Sequence, residues 1–315
     1  MQILIYLSMV VVMVIPILIF NWKRKQEIIQ SSKNSKLHFF LHLLVGVFFG
    51  LTIFMFTTFD QGWGMFSLLH LYGFIATFIL AVALAYLVKG TNKAKTVALI
   101  MCAIILISPI ARPFIYLGPE NYMGNGLYRT YIADFEYAFP FQLCNIAALI
   151  YVFALLVPAT TLFSKVVKNF MITIGFLGGI VNNIQAWYLE LGGFWHFVIW
   201  ETYILHVFIM VIPIFIVLTD QIEFDLKHVL YNMIWIAPLF ILMGLVINPI
   251  MGLNYWFTAP FNVLYLIPHG IYFPWMGTTI YPVYMLLLFL LISLACVLFH
   301  YGFKLLHKKI TPYFI

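Results

Sequence analysis

The sequence predicts an all-α protein, a polytopic membrane bundle of about nine transmembrane helices. Three observations carry that expectation. Of its residues 64% are hydrophobic and only 8% charged, and the mean hydropathy is +1.05; soluble domains carry about a quarter charged residues. Nine apolar stretches meet or approach the roughly 20 residues that cross about 30 Å of hydrocarbon. The basic residues fall in alternate connections, as retention of Lys and Arg on the cytoplasmic side requires. Hydrocarbon offers no partner to a backbone amide or carbonyl, so each stretch must satisfy its own as a helix.

The first stretch, 2–20, follows only Met1 and Gln2 and precedes the cluster Lys23, Arg24 and Lys25. A secretory leader has the reverse order and a small-residue cleavage site, so an uncleaved helix with its N-terminus outside is expected. The second, 37–57, follows Lys33 and Lys36. Residues 1–60 thus form an N-terminal helix pair, and 61–315 a seven-helix core with a basic cytoplasmic tail. The third, 65–88, opens near His70, and the fourth, 96–116, runs from Lys89, Lys93 and Lys95 to Arg112. The fifth, 139–162, starts at Pro140, whose missing N–H suits a first helical position. Lys165 and Lys168 precede the sixth, 169–189, where Gly175, Gly178 and Gly179 permit close helix packing. It ends in Asn182, Asn183 and Gln185. The seventh, 195–218, contains Glu201, Tyr203 and His206; the eighth, 229–250, follows Lys227; the ninth, 280–303, precedes Lys304, Lys308 and Lys309.

This register places the C-terminus in the cytoplasm and leaves only Arg112 and Arg129 as basic residues outside. The net charge of +6 is then a topology signal and excludes a nucleic-acid partner. Two long connections, 117–138 and 251–279, fall outside. The second has no Asp, Glu, Lys or Arg but many aromatics and prolines, so it belongs at the interface or re-enters the bilayer.

Cys144 stands between Gln142 and Asn145 at the start of an apolar run. Counted from Pro140 it lies about one turn in, roughly 6–8 Å below the outer helix end. The positive end of the helix dipole favours thiolate there, burial in lipid favours thiol, and a free Cys is commonly a small buried hydrophobe. Cys102 and Cys296 lack polar neighbours and read as packing; no disulfide or zinc spacing appears, so no metal and no cofactor is expected. Glu201 and His206 are ionisable groups inside a span, where they mark a functional path or pair with each other. His206 lies about 15 Å below the outer face, so a tilted or broken helix is needed to bring it to Cys144. Glu201 is about 140° from it around the helix, and Tyr203, three residues away, is better placed to orient it. Arg112 suits a lipid phosphate, which a guanidinium binds bidentately, or serves as an interfacial anchor. His70, Asn183, Gln185, Asn254 and His269 collect on the same side, whereas His38, His42, His228, His300 and His307 sit near the cytoplasmic ends as interfacial residues.

The elements "FPFQLCNIAAL", "ETYILHVFIM" and "GLNYWFTAPFN", in this order, resemble the YwaF-type family of bacterial integral membrane proteins. That family is related to the vertebrate seven-helix cysteine acyltransferase that remodels ether phospholipids. The resemblance covers about 65–303 and leaves the first two helices as an addition. It implies a catalytic pair, Cys144 and His206, in a multi-pass protein of the bacterial plasma membrane.

It also implies a reaction: the Cys144 thiolate takes an acyl group from a phospholipid, and a lysophospholipid accepts it. His206 is the general base, a role contributing about 10²–10⁴-fold. Asn145, Gln142 or Gln185 donates to the oxyanion, one such donor being worth about 2.7–4 kcal/mol. An outward-facing site meets no cytoplasmic acyl-CoA, so transfer between membrane lipids is expected. The competing class is a transporter or lipid-translocating protein, which intramembrane Glu and His, Asn clusters and helices broken at Pro238 and Pro249 suit as well; it lacks the repeat symmetry many such folds show. A third is a non-catalytic scaffold with Cys144 packed.

Overall fold

The computed structural model describes residues 68–116, 142–184, 197–251 and 281–314, with side chains over 77–110, 142–181, 204–248, 250 and 285–314. The stretches 2–20 and 37–57 lie outside the described residues, as do the connections 117–138 and 252–279. All described regular structure is helical and forms seven rods. These are α1 (Leu68–Leu87), α2 (Ala94–Tyr116) and α3 (Leu143–Leu156). A fourth rod joins α4 (Leu162–Phe170), a π-helical turn (Met171–Gly175) and α5 (Phe176–Ile184). Then come α6 (Phe197–Leu218), α7 (Leu226–Leu242) running through a second π turn (Met243–Ile247) into α8 (Asn248–Met251), and α9 (Tyr281–Ile310).

Three described helices are long and apolar enough to cross a membrane: Leu162–Val181, Leu226–Ile247 and Met285–Tyr313. The seven rods fall on the third to ninth apolar stretches with several boundaries moved, α9 running on to Ile310, and two of the shifts have a plain local cause. The fifth stretch stops at Leu156 because Val157 turns extended before Pro158, and a residue preceding proline is sterically pushed out of the helical region. The sixth begins already at Leu162, seven residues early, because Thr161 caps it by accepting the Ser164 N–H at 3.2 Å. Pro238 does not break α7, which continues through it to Leu242; the wider winding comes a turn later.

Helix α6 is the axis of the bundle. Every residue from Leu205 to Leu218 is buried, and α1, α2, α3, α5, α9 and the first π turn all pack on it. Lipid is as apolar as these side chains, so the association rests on close packing more than on the hydrophobic effect. The sharpest fit is where Tyr151 of α3 enters the first π turn. Its hydroxyl donates to Met171 O at 3.4 Å, its ring meets Phe170 edge-on at 6.3 Å, and it fills the space a Cβ on Gly175 would need. The rod of α7 with its π turn and helix α9 are peripheral and turn Ile234, Leu245, Leu287, Leu291 and Leu298 outward, as lipid-facing helices do.

All described connections and the end of α9 gather at one pole of the bundle, which we call the basic end. Lys165 pairs with Glu223 at 2.7 Å, and His307 with Asp220 at 2.7 Å. Asn169 donates to Glu223 O at 2.9 Å, and Thr311 to Val217 O at 2.9 Å. Lys89 donates to Tyr313 O at 2.6 Å. His228 and His300 are both buried between helices, at 6% and 1% exposure.

Candidate functional site

Helix α3 is only 14 residues long, about 21 Å at 1.5 Å per residue, and it starts at Leu143 behind the extended residue Gln142. Cys144 is therefore in the first turn, where backbone N–H groups precede the first intrahelical acceptor; the carbonyl of Gln142 takes the N–H of Asn145 at 3.0 Å and of Ile146 at 3.1 Å. Ala147, Ala148, Tyr151, Ala154 and Leu155 are buried. At 100° per residue Cys144 heads that stripe, seven positions before Tyr151 and on the same face. It is half-buried and packs against the hydrophobic core.

His206 lies on α6 with 3% exposure. Its backbone is the seat of the α5 contact, for a Cβ on Gly179 would stand 3.3 Å from His206 O and 2.5 Å from Met210 Cγ. Depth can be followed along the rods. From Tyr151 to Cys144 is about 10 Å away from the basic end, and from Gly175, which Tyr151 touches, to Gly179 is about 6 Å the same way. The Tyr151 side chain leans toward its helix N-terminus and supplies part of the difference. Cys144 and His206 thus come to one level within about a turn, on helices that pack directly together. The separation in depth expected from the sequence is smaller here because α3 starts at Leu143, four residues later than the apolar stretch.

Asn145 is fully buried, and neither its amide nitrogen nor its amide oxygen has a hydrogen-bond partner among the described residues. An orphaned buried polar group costs about 1–3 kcal/mol, so this carboxamide is held at the top of α3 against a steady penalty. Gln142 is half-buried beside it. Of the other expected site residues, His70 is on α1, Arg112 on α2, Asn183 on α5, and Glu201 and Tyr203 on α6, with side chains outside the described set. Gln185, Asn254 and His269 lie outside the described residues. Cys102 and Cys296 are fully buried, as packed thiols are. Among the described residues no group of three or more His, Cys, Asp or Glu is placed to hold a metal.

Sequence reasoning missed the role of Gly179 as the surface against which the His206 turn is seated. The signal was present in the spacing Gly175-x-x-x-Gly179, which puts two small residues on one helix face. Gly178, grouped with them from the sequence, meets nothing within 4 Å and has no part in close packing.

Apolar spans around a buried axial helix define an all-helical membrane protein. A model of the TMEM164 family matches residues 64–299, nearly the stretch occupied by the seven rods, and the chain belongs to that family. No curated protein and no solved structure matches it.

Proposed function

We propose that this protein is a membrane-embedded transacylase that moves a fatty-acyl group from a phospholipid to a lysophospholipid through a thioester on Cys144. The observation that carries the reading is Asn145: a fully buried carboxamide without a hydrogen-bond partner among the described residues, next to a half-buried thiol and level with a buried imidazole. A purely structural helix gains nothing from that amide, whereas a developing oxyanion gives its N–H groups a partner only during reaction, the condition for preorganised electrostatic catalysis. The Cys144 thiolate attacks the ester carbonyl carbon, the ester C–O bond breaks, and the departing alkoxide takes the proton that His206 had removed from the thiol. An acceptor hydroxyl then yields its proton to His206 and attacks the thioester, and the C–S bond breaks to return the thiolate. The resemblance to the YwaF-type family supports the same pair.

In this reading the basic end is cytoplasmic, since the lysines at the three described connections and in the tail lie there. The site then opens toward the outer leaflet of a bacterial plasma membrane, and the two N-terminal stretches complete nine helices. Reconstitution with phosphatidylcholine of one defined acyl chain tests the proposal. Intact mass should show one acyl adduct, labile to hydroxylamine and absent from Cys144→Ser. No adduct, together with no exchange of labelled acyl chains into lysophosphatidylcholine, would overturn it in favour of a translocating protein.

A further inference from the structure

At the basic end, remote from Cys144, the peripheral helices α7 and α9 carry the same outward order of side chains. On α7 the order toward that end is Ile234, Tyr231, Lys227. On α9 it is Leu298, Tyr301, then Lys304 and Lys308. Spacings of three and four keep each set on one side of its helix, and all of these residues are exposed, the two tyrosines at 44% and 53%. The helices run in opposite directions, so the repeat does not follow from chain order. Each reads aliphatic, aromatic, cationic, the profile of a surface that passes from acyl chains to headgroups.

Ring contacts bring the two cationic ends together. The ring of Phe224, just before α7, lies 5.8 Å from that of His300 and 5.2 Å from that of His307. Lys304 follows the first histidine by four residues and precedes the second by three, so it shares their side of α9 and stands level with Phe224. Lys227 comes three residues after Phe224, in the first turn of α7, and α7 packs directly on α9. The seam between the helices is thus flanked by Lys227 and Lys304, with Lys308 one turn beyond. Among the described residues Lys227, Lys304, Lys308 and Lys309 have no ion pair. Glu223 is held by Lys165 and Asp220 by His307, while Asp225 caps α7 by accepting the Lys227 N–H at 2.9 Å. The seam therefore carries an excess of positive charge.

We propose that this seam is a binding surface for anionic phospholipid in the leaflet at the basic end, with the lipid phosphate between Lys227 and Lys304. The exposed Leu230 and Leu305 beside these lysines suit acyl chains, and the amphipathic rings of Tyr231 and Tyr301 suit the level of the headgroups. A soluble anion would gain nothing from either. A lysine that merely reaches the interface along its helix serves zwitterionic and anionic headgroups alike. A group of uncompensated lysines instead favours lipid of net negative charge.

Native mass spectrometry of the full chain in neutral detergent, titrated with phosphatidylglycerol or phosphatidylcholine of equal chain length, tests this. Phosphatidylglycerol should bind in preference. Lys227→Gln and Lys304→Gln, at exposed positions that leave the fold intact, should each lower that preference about fivefold, the share of one lysine near an anionic surface. Lys93→Gln, which removes an exposed cation from the turn before α2, should leave the preference unchanged. Equal binding of the two lipids overturns the surface. So does an equal fall with Lys93→Gln, which would mean attraction to net charge alone. Either result leaves the acyl-transfer reading untouched, because the comparison is read at lysines remote from Cys144.

Discussion

Adjacent glycines on α5 should respond oppositely to the same methyl group. A Cβ on Gly179 would sit 2.5 Å from Met210 Cγ, 3.3 Å from His206 O and 3.4 Å from Ile209 Cγ2. Carbon atoms pack at about 3.5–4.0 Å, so Met210 must retreat by about 1 Å or the seam between α5 and α6 must open at His206. Overpacking of this kind costs roughly 1–3 kcal/mol, against a helix-propensity gain of up to about 1 kcal/mol for Gly→Ala. Gly179→Ala should therefore destabilise by about 0–2 kcal/mol, and Gly178→Ala, which meets nothing within 4 Å, should stabilise by up to about 1 kcal/mol. Denaturation in detergent reads both. If Cys144 and His206 act together, a shift of about 1 Å at His206 can lower acyl transfer by about 10²-fold, whereas Gly178→Ala leaves it unchanged. Adding Met210→Ala removes the closest atom and should recover part of the loss, so the double substitution is non-additive. Equal stability and equal rate for the two alanine variants would refute the close seat at His206.

Cys144→Ser and His206→Ala should each abolish acyl transfer with little change in thermal midpoint, and their combination should be no worse than either, because residues acting as one unit fail together. Asn145→Leu separates packing from catalysis: it removes an orphaned amide and should raise stability by roughly 1–3 kcal/mol while lowering transfer about 10²–10³-fold; a rise in stability at full activity removes Asn145 from the mechanism. The Asp225 carboxylate caps α7, and the Lys227 N–H it accepts holds its pKa below the ordinary value. A depressed carboxyl contributes stability above its unfolded pKa, about 3.9, and loses it as pH falls through the folded value. Asp225→Asn should accordingly flatten the acid limb of a stability profile below about pH 4 and leave the neutral region nearly unchanged. Lys93→Cys, in an otherwise cysteine-free background, should react with impermeant reagent only from the cytoplasmic side; labelling from outside reverses the orientation.

Helix positions were legible because hydropathy alone marks a span, and the rods α2, α6 and α9 begin within two residues of their apolar stretches. The start of α4 was not, since Ser164, Lys165, Lys168 and Asn169 depress hydropathy while the cap that starts the helix is a single Thr161 hydroxyl. Cys144 and His206 stood out as polar groups in apolar runs. Their common depth did not, because it depends on the late start of α3 and on the Tyr151 and Gly179 contacts between distant segments. The orphaned amide of Asn145 leaves no trace in composition: it is defined by what fails to approach it among the described residues.

The last turn of the described chain bears on how the bundle is made. Lys89 and the carbonyl of Tyr313 are 224 residues apart in sequence and 2.6 Å apart in space. Phe314 packs edge-on to Tyr86 with centroids at 5.8 Å, and Thr311 ties to Val217 at the foot of the axial helix. During synthesis α1 and α6 enter the bilayer long before residues 311–314 leave the ribosome. At about 5–20 residues per second, the basic-end termini of α1 and α6 wait many seconds for the segment that fastens them. The early helices must therefore hold together on their contacts with α6 and with one another, and the clasp is set only when translation has passed Phe314.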